Sequence, residues 1–364
     1  MKISDIISVL EEVAPRSLQE EYDNCGLLVG SADVECTGVL LTVDVTPAVV
    51  REAIDSGLNL IVAHHPLIFR GLKSLTGKSA VERSVIMAIR GGISIYACHT
   101  CLDNAADGVS KRMALMLGMK NVAVLDPQKG KSLKLSVFVP SDHAESLSKA
   151  LFEAGAGVAG NYDSCCYMSD GRGSFRSLDG ADPFVGKIGE VHVEQETRLE
   201  VILPVWKRAA VEAALLSAHP YETPAYEFVA VENYSETGSG AIGELPEAIT
   251  ALGLVERVKA VFASPVARCS SFPMDRKVTK IAMCGGSGAF LIGKAIAGGA
   301  QAFITSDTKY HDFVDYADRI LIIDIGHHES ENCTKDIFYH VIREKFPIFA
   351  VRYSQSDINP IKYL

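Results

Sequence analysis

The chain has no apolar run near the roughly 20 residues of a membrane-spanning helix, which argues against an integral membrane protein. It has no surplus of basic charge. Its 35 Lys and Arg stand against 45 Asp and Glu, for a net charge of -10 and a pI near 5.5. That excludes a general nucleic-acid binder and leaves room only for a local basic patch. It has no cysteine framework: nine cysteines, an odd number without regular spacing, read as reduced thiols of a cytoplasmic protein. There is no leader pattern, because Met1 opens an amphipathic helix. The composition is not that of a disordered chain: 48% hydrophobic with 22% charged residues describes an ordinary globular protein. At 364 residues the chain exceeds one ordinary core, so two or more domains are expected.

What is present is an alternation of strands and helices. Ile3, Ile6, Ile7, Leu10 and Val13 mark a helix that Pro15 ends. Strands follow at 39–43, 58–62 and 93–98. Helices lie between and after them at 47–56, 80–90 and 109–117, so an α/β layer structure is expected. The polar stretch Asp126 to Gly130 marks a boundary. Beyond it come a strand at 133–139, a helix at 141–154, a glycine-rich looped region over 155–173, a strand at 199–203, a helix at 207–218 and a strand at 225–231. Two strand-helix-strand units in about 100 residues predict a ferredoxin-like α+β domain. The run 235–243 reads as a linker. The α/β alternation then returns, with a helix at 246–261 and strands at 280–284, 302–305 and 320–325. The expected organisation is an α/β domain in two halves, 1–127 and 236–364, interrupted by an inserted domain, 128–235.

The chemistry gathers at three strand ends. The buried run Leu58 to Val62 delivers Ala63-His64-His65-Pro66, and a lone His-His pair of this kind is ordinarily a polar loop. The next strand ends at His99-Thr100-Cys101-Leu102-Asp103, and a later one at Gly326-His327-His328-Glu329-Ser330-Glu331. In open α/β sheets, sites form outside the carboxyl ends of the strands. His327 and Glu331, four residues apart, share a face on a helix. Imidazoles with carboxylates suit zinc, manganese, iron or cobalt, not calcium. Five candidate ligands, His64, His65, Asp103, His327 and Glu331, exceed one tetrahedral site. Two divalent ions about 3.5–4 Å apart fit better.

These motifs, with Asp23-Asn24-Cys25-Gly26-Leu27, resemble the GTP cyclohydrolase 1 type 2 homologue family, or Nif-three-like proteins, over essentially the whole chain. The resemblance implies a dinuclear metal site in which His65 and Asp103 hold one ion, His64 and His327 the other, and Glu331 bridges. It also implies a toroidal homohexamer with the metals facing an inner cavity. The segments Gly160-Asn161-Tyr162-Asp163 and His219 to Tyr226 resemble the PII-like and CutA-like insert of longer members. The family carries a Lys-x-His-Asp stretch similar to Lys309-Tyr310-His311-Asp312, which favours a functional His311.

Other signals weigh less. Gly288 to Lys294 matches G-x-x-x-x-G-K by letters, but Ala295 follows where a phosphate loop needs Ser or Thr. Gly285-Gly286-Ser287-Gly288 could hold a phosphate or make a tight turn, and both readings stay open. Cys98-x-x-Cys101 is expected to be buried and structural, because Cys98 belongs to a strand. His99 is a candidate to orient Asp103 or a ligand, while His328 should turn away. The function expected is a metal-dependent hydrolase acting on a nucleotide, a phosphoester or the purine ring of GTP, with Glu331 or His311 as proton carrier. The alternative is a non-catalytic metal-binding, metal-insertion or ligand-sensing scaffold. Placement of Arg70, Lys73, Lys294 and Lys309 around the metals would favour a small anionic substrate.

Overall fold

A computed structural model describes residues 1–233 and 236–363. The chain divides into two compact units, Met1–Pro127 with Glu236–Leu364, and Gln128–Ser235. The expected insert end at 235 lies outside the described residues. Among the described residues no helix is long and apolar enough to cross a membrane.

The first unit opens with α1 (Ile3–Val13), whose face of Ile3, Ile6, Val9 and Leu10 is buried. Strands β1 (Gly26–Val29) and β2 (Val39–Thr42) follow, then α2 (Pro47–Asp55), β3 (Leu60–Ala63), α3 (Ala80–Gly91) and β4 (Ser94–Ala97). Every residue of β2, β3 and β4 is buried, as expected for parallel strands covered on both faces. Helix α2 starts where the hydroxyl of Thr46 accepts the Val49 N–H, with Pro47 at the first position. A single turn, α4 (Thr100–Asp103), leads to α5 (Val109–Met116) and β5 (Lys120–Pro127).

The second unit runs β6 (Ser132–Pro140), α6 (Ala144–Glu153), β7 (Tyr167–Arg176), β8 (Val191–Pro204), α7 (Arg208–Ala218) and β9 (Tyr226–Val231). Its antiparallel sheet has the order β7-β8-β6-β9, the ferredoxin-like βαββαβ arrangement. Leu135, Val137 and Val139 of β6 and Leu199 and Val201 of β8 form one core with Leu147, Leu151, Val211 and Leu215 of the helices. The glycine-rich loop expected over 155–173 ends sooner. From Tyr167 the chain is strand β7, which contains Gly171 and Gly173 and pairs with β8 from Tyr167↔Glu200 to Arg176↔Val191.

The first unit resumes with β10 (Gly238–Thr250), α8 (Ala251–Val261), β11 (Arg268–Cys269), β12 (Lys277–Met283), α9 (Ile292–Ala297), β13 (Ala302–Thr305), α10 (Tyr310–Tyr316), β14 (Leu321–Asp324), α11 (His327–Glu331), α12 (Thr334–Lys345) and β15 (Val351–Tyr353). The expected linker and early helix are corrected here. Residues 238–250 form β10, clamped between β12 and β5 in register pairs such as Ile242↔Ala282 and Ile242↔Ala123. Strands β12, β13 and β14 are parallel within the sheet β11-β14-β13-β12-β10-β5. The other sheet of this unit has the order β1-β4-β3-β2-β15, so the last strand of the chain completes the first sheet by pairing parallel to β2.

Candidate metal centre

Parallel strands release their chains at one end, and the site is built there. His64 and His65 leave β3 with their N–H groups still bonded to the carbonyls of Thr42 and Val43, at 3.2 and 2.9 Å. Alternation along a strand would part the rings. The chain bends instead, and the ring centroids sit 5.1 Å apart. The β4 end supplies His99 and, through α4, Asp103. The β14 end turns at Gly326 into α11, which carries His327 and the buried Glu331.

The Glu331 carboxylate joins these groups. Its Oε2 lies 2.9 Å from His65 Nε2 and 3.0 Å from His327 Nε2. Its Oε1 lies 3.7 Å from His64 Nε2, which is also 3.7 Å from Asp103 Oδ1. The side chains therefore sort as His65 with His327 on one side of Glu331 and His64 with Asp103 on the other. That exchanges the partners implied by the resemblance. The Nε2 atoms of His65 and His327 are 3.3 Å apart.

Each imidazole is braced through its outer nitrogen. His64 Nδ1 donates to the Cys98 carbonyl at 3.0 Å. His65 Nδ1 meets Asp44 at 2.9 Å, His327 Nδ1 meets Asp307 at 2.6 Å, and His99 Nδ1 meets Asp23 at 2.8 Å. Bracing of this kind fixes the tautomer that leaves Nε2 free to ligate. Two imidazole nitrogens converge on one carboxylate oxygen at 2.9 and 3.0 Å, an arrangement that calls for positive charge among them, protons on the rings or a metal ion in their place. The buried Nε2 of His64 and Oδ1 of Asp103 have no hydrogen-bond partner among the described residues, although buried polar atoms rarely go without. A divalent metal answers both needs, and the His65, His327 and Glu331 donors lie close enough together to share one ion.

The charges respond accordingly. Burial opposes protonation of His65, but Asp44 and Glu331 hold it up to about 10. Burial likewise opposes His327, which Glu331 and Asp307 raise to about 9. Burial would raise the Glu331 carboxyl, yet His64, His327 and His65 draw it well below the ordinary range. Metal-free protein at neutral pH therefore carries protons on His65 and His327. A metal would displace them, so loading should release about two protons per chain, and affinity should climb with pH to about 9 to 10. Calorimetry in two buffers of different ionisation enthalpy counts them. Release near zero would show that the rings were neutral.

Asp44 and Asp307 were not singled out as site residues in the sequence, and Asp23 entered only within the motif Asp23-Asn24-Cys25-Gly26-Leu27. Each follows or precedes a strand, the one signal available, and aspartate there is ordinary turn chemistry. His99 is closer to the cluster than foreseen: its ring lies 5.2 Å from that of His64 and 5.3 Å from that of His65. His328 turns toward Asp357. His311 is exposed on α10, with an edge contact to Tyr310, and among the described residues nothing ties it to the cluster. Gly286 donates its N–H to Ser330, and Gly288 to Thr305, both at 2.9 Å. Two of the four donors of the turn are thus spent on the protein itself, which favours the tight turn over a phosphate cradle. Cys98 lies one residue past β4 and Cys101 in α4. Their sulfurs are 3.5 Å apart and both are buried, which keeps them from external reagents. Lys294 is paired with Asp126. Arg70, Lys73 and Lys309 are exposed. Arg70 follows Phe69, whose ring contacts His99 at 6.2 Å.

The fold and site define a split α/β protein with a ferredoxin-like insert and a His/Glu cluster that could hold a metal. The profile of one family, Duf34/NIF3 (NGG1p interacting factor 3), matches residues 1–360, and the chain belongs to that family. A relative from Halalkalibacterium halodurans, called "GTP cyclohydrolase 1 type 2 homolog", is 39% identical over 333 residues, 90% of this chain and 89% of its own. A Staphylococcus epidermidis relative of the same name is 33% identical across 100% of both chains. Among solved structures, a Bacillus cereus protein related to NIF3 superposes with a TM-score of 0.88 at 35% identity, covering 100% of this chain and 99% of its own.

Proposed function

We propose that the cluster holds two divalent ions, zinc, manganese or iron, and that the protein is a metal-dependent hydrolase. The observation that carries this is the set of three imidazoles, each braced at Nδ1, that turn Nε2 onto one buried carboxylate. His65 and His327 with one Glu331 oxygen would hold one ion; His64 and Asp103 with the other oxygen would hold the second. Bound ions of this kind lower the pKa of water and stabilise negative charge in a displacement.

The remaining roles fall to the chain's own groups. Glu331 is occupied on both oxygens, which disfavours it as proton carrier. His311 stays a candidate only if substrate brings it closer. His99, held by Asp23 beside the cluster, is the better placed acceptor. Phe69 leans on His99, and Tyr22 lies 6.4 Å from Phe69; together they offer a stacking edge for a planar ring. With Arg70 and Lys73 on the same segment, this favours a nucleotide or related anionic substrate. The relatives' name suggests GTP. Assembly into a toroidal homohexamer and a cytoplasmic location, where free thiols persist, belong to the same reading.

The test is metal content per chain after purification without chelators, beside the His65→Ala variant and a screen of nucleotides and phosphoesters. About two ions per chain, reduced in the variant, with metal-dependent turnover, is the expected result. Two ions without turnover would favour the scaffold reading, and one ion would end the dinuclear one.

A further inference from the structure

The second unit contains a cavity of about 650 Å³ on the sheet face opposite its helices, walled by Phe138, Phe175, Phe184 and Tyr221. Glycines make the room. Gly171 and Gly173 present no side chains where β7 faces Glu196 and Glu194 of β8. A methyl group at Gly173 would stand 2.0 Å from Glu196 Oε2, so the carboxylate occupies the hollow that glycine leaves. The rings enclose it from the other side. Phe175 meets Tyr221 at 5.9 Å and Phe184 meets Tyr221 at 6.4 Å.

The charges along β8 single out one residue. Glu194 is answered by His192 at 2.9 Å. Glu200 is answered by Lys134 at 2.9 Å and Arg198 at 2.8 Å. Glu196 is 9% exposed, and among the described residues it has no ion pair. One oxygen accepts the Tyr221 hydroxyl at 3.0 Å. The nearby His219 offers no charge: its Nε2 donates to the Phe138 carbonyl at 2.9 Å and its Nδ1 accepts the Tyr221 N–H at 3.0 Å. A buried carboxylate without a cation is costly. Aromatic faces attract cations, organic ammonium ions above all.

We propose that this cavity binds a small organic ammonium ion, its charge against Glu196 and its apolar body among the four rings. The site stands apart from the metal cluster in both sequence and chemistry, so it would make the insert a ligand-binding domain in its own right. Arg172 and Arg198 line the cavity as well. The Arg198 guanidinium shares Glu200 with Lys134 and lies over the Phe138 ring, 5.9 Å from its centroid, so Phe138 is already met by a cation and the ligand's charge is left to Glu196 with Tyr221, Phe175 and Phe184.

The experiment is calorimetric titration of the full-length protein with phenethylammonium chloride and with its neutral counterpart 2-phenylethanol. The ammonium ion should bind about tenfold or more tightly than the alcohol, and Glu196→Gln should remove that preference, since a charged hydrogen bond is lost in both comparisons. Gly173→Ala, which crowds the carboxylate, should weaken the ammonium ion as well. A thermal melt and the metal content of each variant verify that the rest of the chain is intact. Equal affinity for both probes in the unaltered protein would overturn the proposal without reliance on any variant. So would failure of phenethylammonium, methylammonium and choline all to bind. If Glu196→Gln instead changes the oligomeric state and no probe binds, a basic side chain of a second copy fills the cavity, and the small-ligand assignment falls.

Discussion

The Glu331→Gln variant should lose most of its divalent-metal binding, by about 100-fold or more, while keeping its fold; even outer partners of a metal site are worth 10–100-fold. The residue is 3% exposed, and its two oxygens face different histidines. An amide keeps the shape, removes the charge, and turns one acceptor into a donor aimed at an imidazole. The same change should be visible without metal. His65 and His327 sit above their ordinary value of 6.5, so the stability they lend is complete below about 6.5 and fades as pH rises through about 9 to 10. Glu331 sits below its ordinary 4.5, so its share is present above that value and is lost as pH falls through its folded value. The variant's melting temperature should therefore trail the parent's most between about pH 4.5 and 6.5, and the gap should narrow as pH rises through about 9 to 10. Equilibrium dialysis and melts across pH read the two effects separately. Unchanged loading with two ions would remove Glu331 from the bridging position.

The second large effect is expected from a residue that offers no ligand. Gly286 has φ +60° and donates its N–H to Ser330 on α11. A methyl group there would lie 2.1 Å from Glu331 Oε1 and 3.4 Å from His327 Cε1. Elsewhere a flexible carboxylate could swing aside. Here three imidazoles hold it, so the displacement enters the cluster. Gly286→Ala also strains a left-handed backbone, by about 1 kcal/mol. Metal loading should fall at least tenfold, well beyond what a strain of that size costs in stability. Gly293→Ala is the control. Nothing lies within 4 Å of the added carbon, and alanine in α9 should be neutral or stabilising, by up to about 1 kcal/mol. Equal loading in the two variants would show that the glycine turn does not set the carboxylate.

The parallel strands and the histidine-bearing strand ends were legible because both are local. Leu60–Ala63 is an unbroken apolar run, and His64 and His65 follow directly. Strand β7 was not legible, since Gly171 and Gly173 carry no strand propensity and its alternation is set by β8. Strand β10 was hidden for a similar reason: Gly238, Gly240 and Gly243 look like linker until β12 and β5 are known to flank them. The division of the histidines between the two sides of Glu331 is a contact across more than 260 residues, from His65 to His327, which no local pattern encodes. The aspartates behind the histidines had the same ambiguity, because an Asp after a strand caps a turn far more often than it steadies an imidazole.

The pairing of β15 with β2 also sets a timetable for synthesis. During translation β2 emerges early and exposes a bare edge, a template for unwanted strand addition, until residues 351–353 arrive to pair with residues 39–41. The insert needs none of those late residues for its own core and can condense while the ribosome still holds the second half. Once folded, it shortens the effective loop that must close between His65 and His327. A ribosome-stalled chain ending near residue 345 should thus display a finished insert beside an unprotected edge. Truncation before residue 351 should therefore lower the yield of folded protein more than deletion of an exposed loop of similar length.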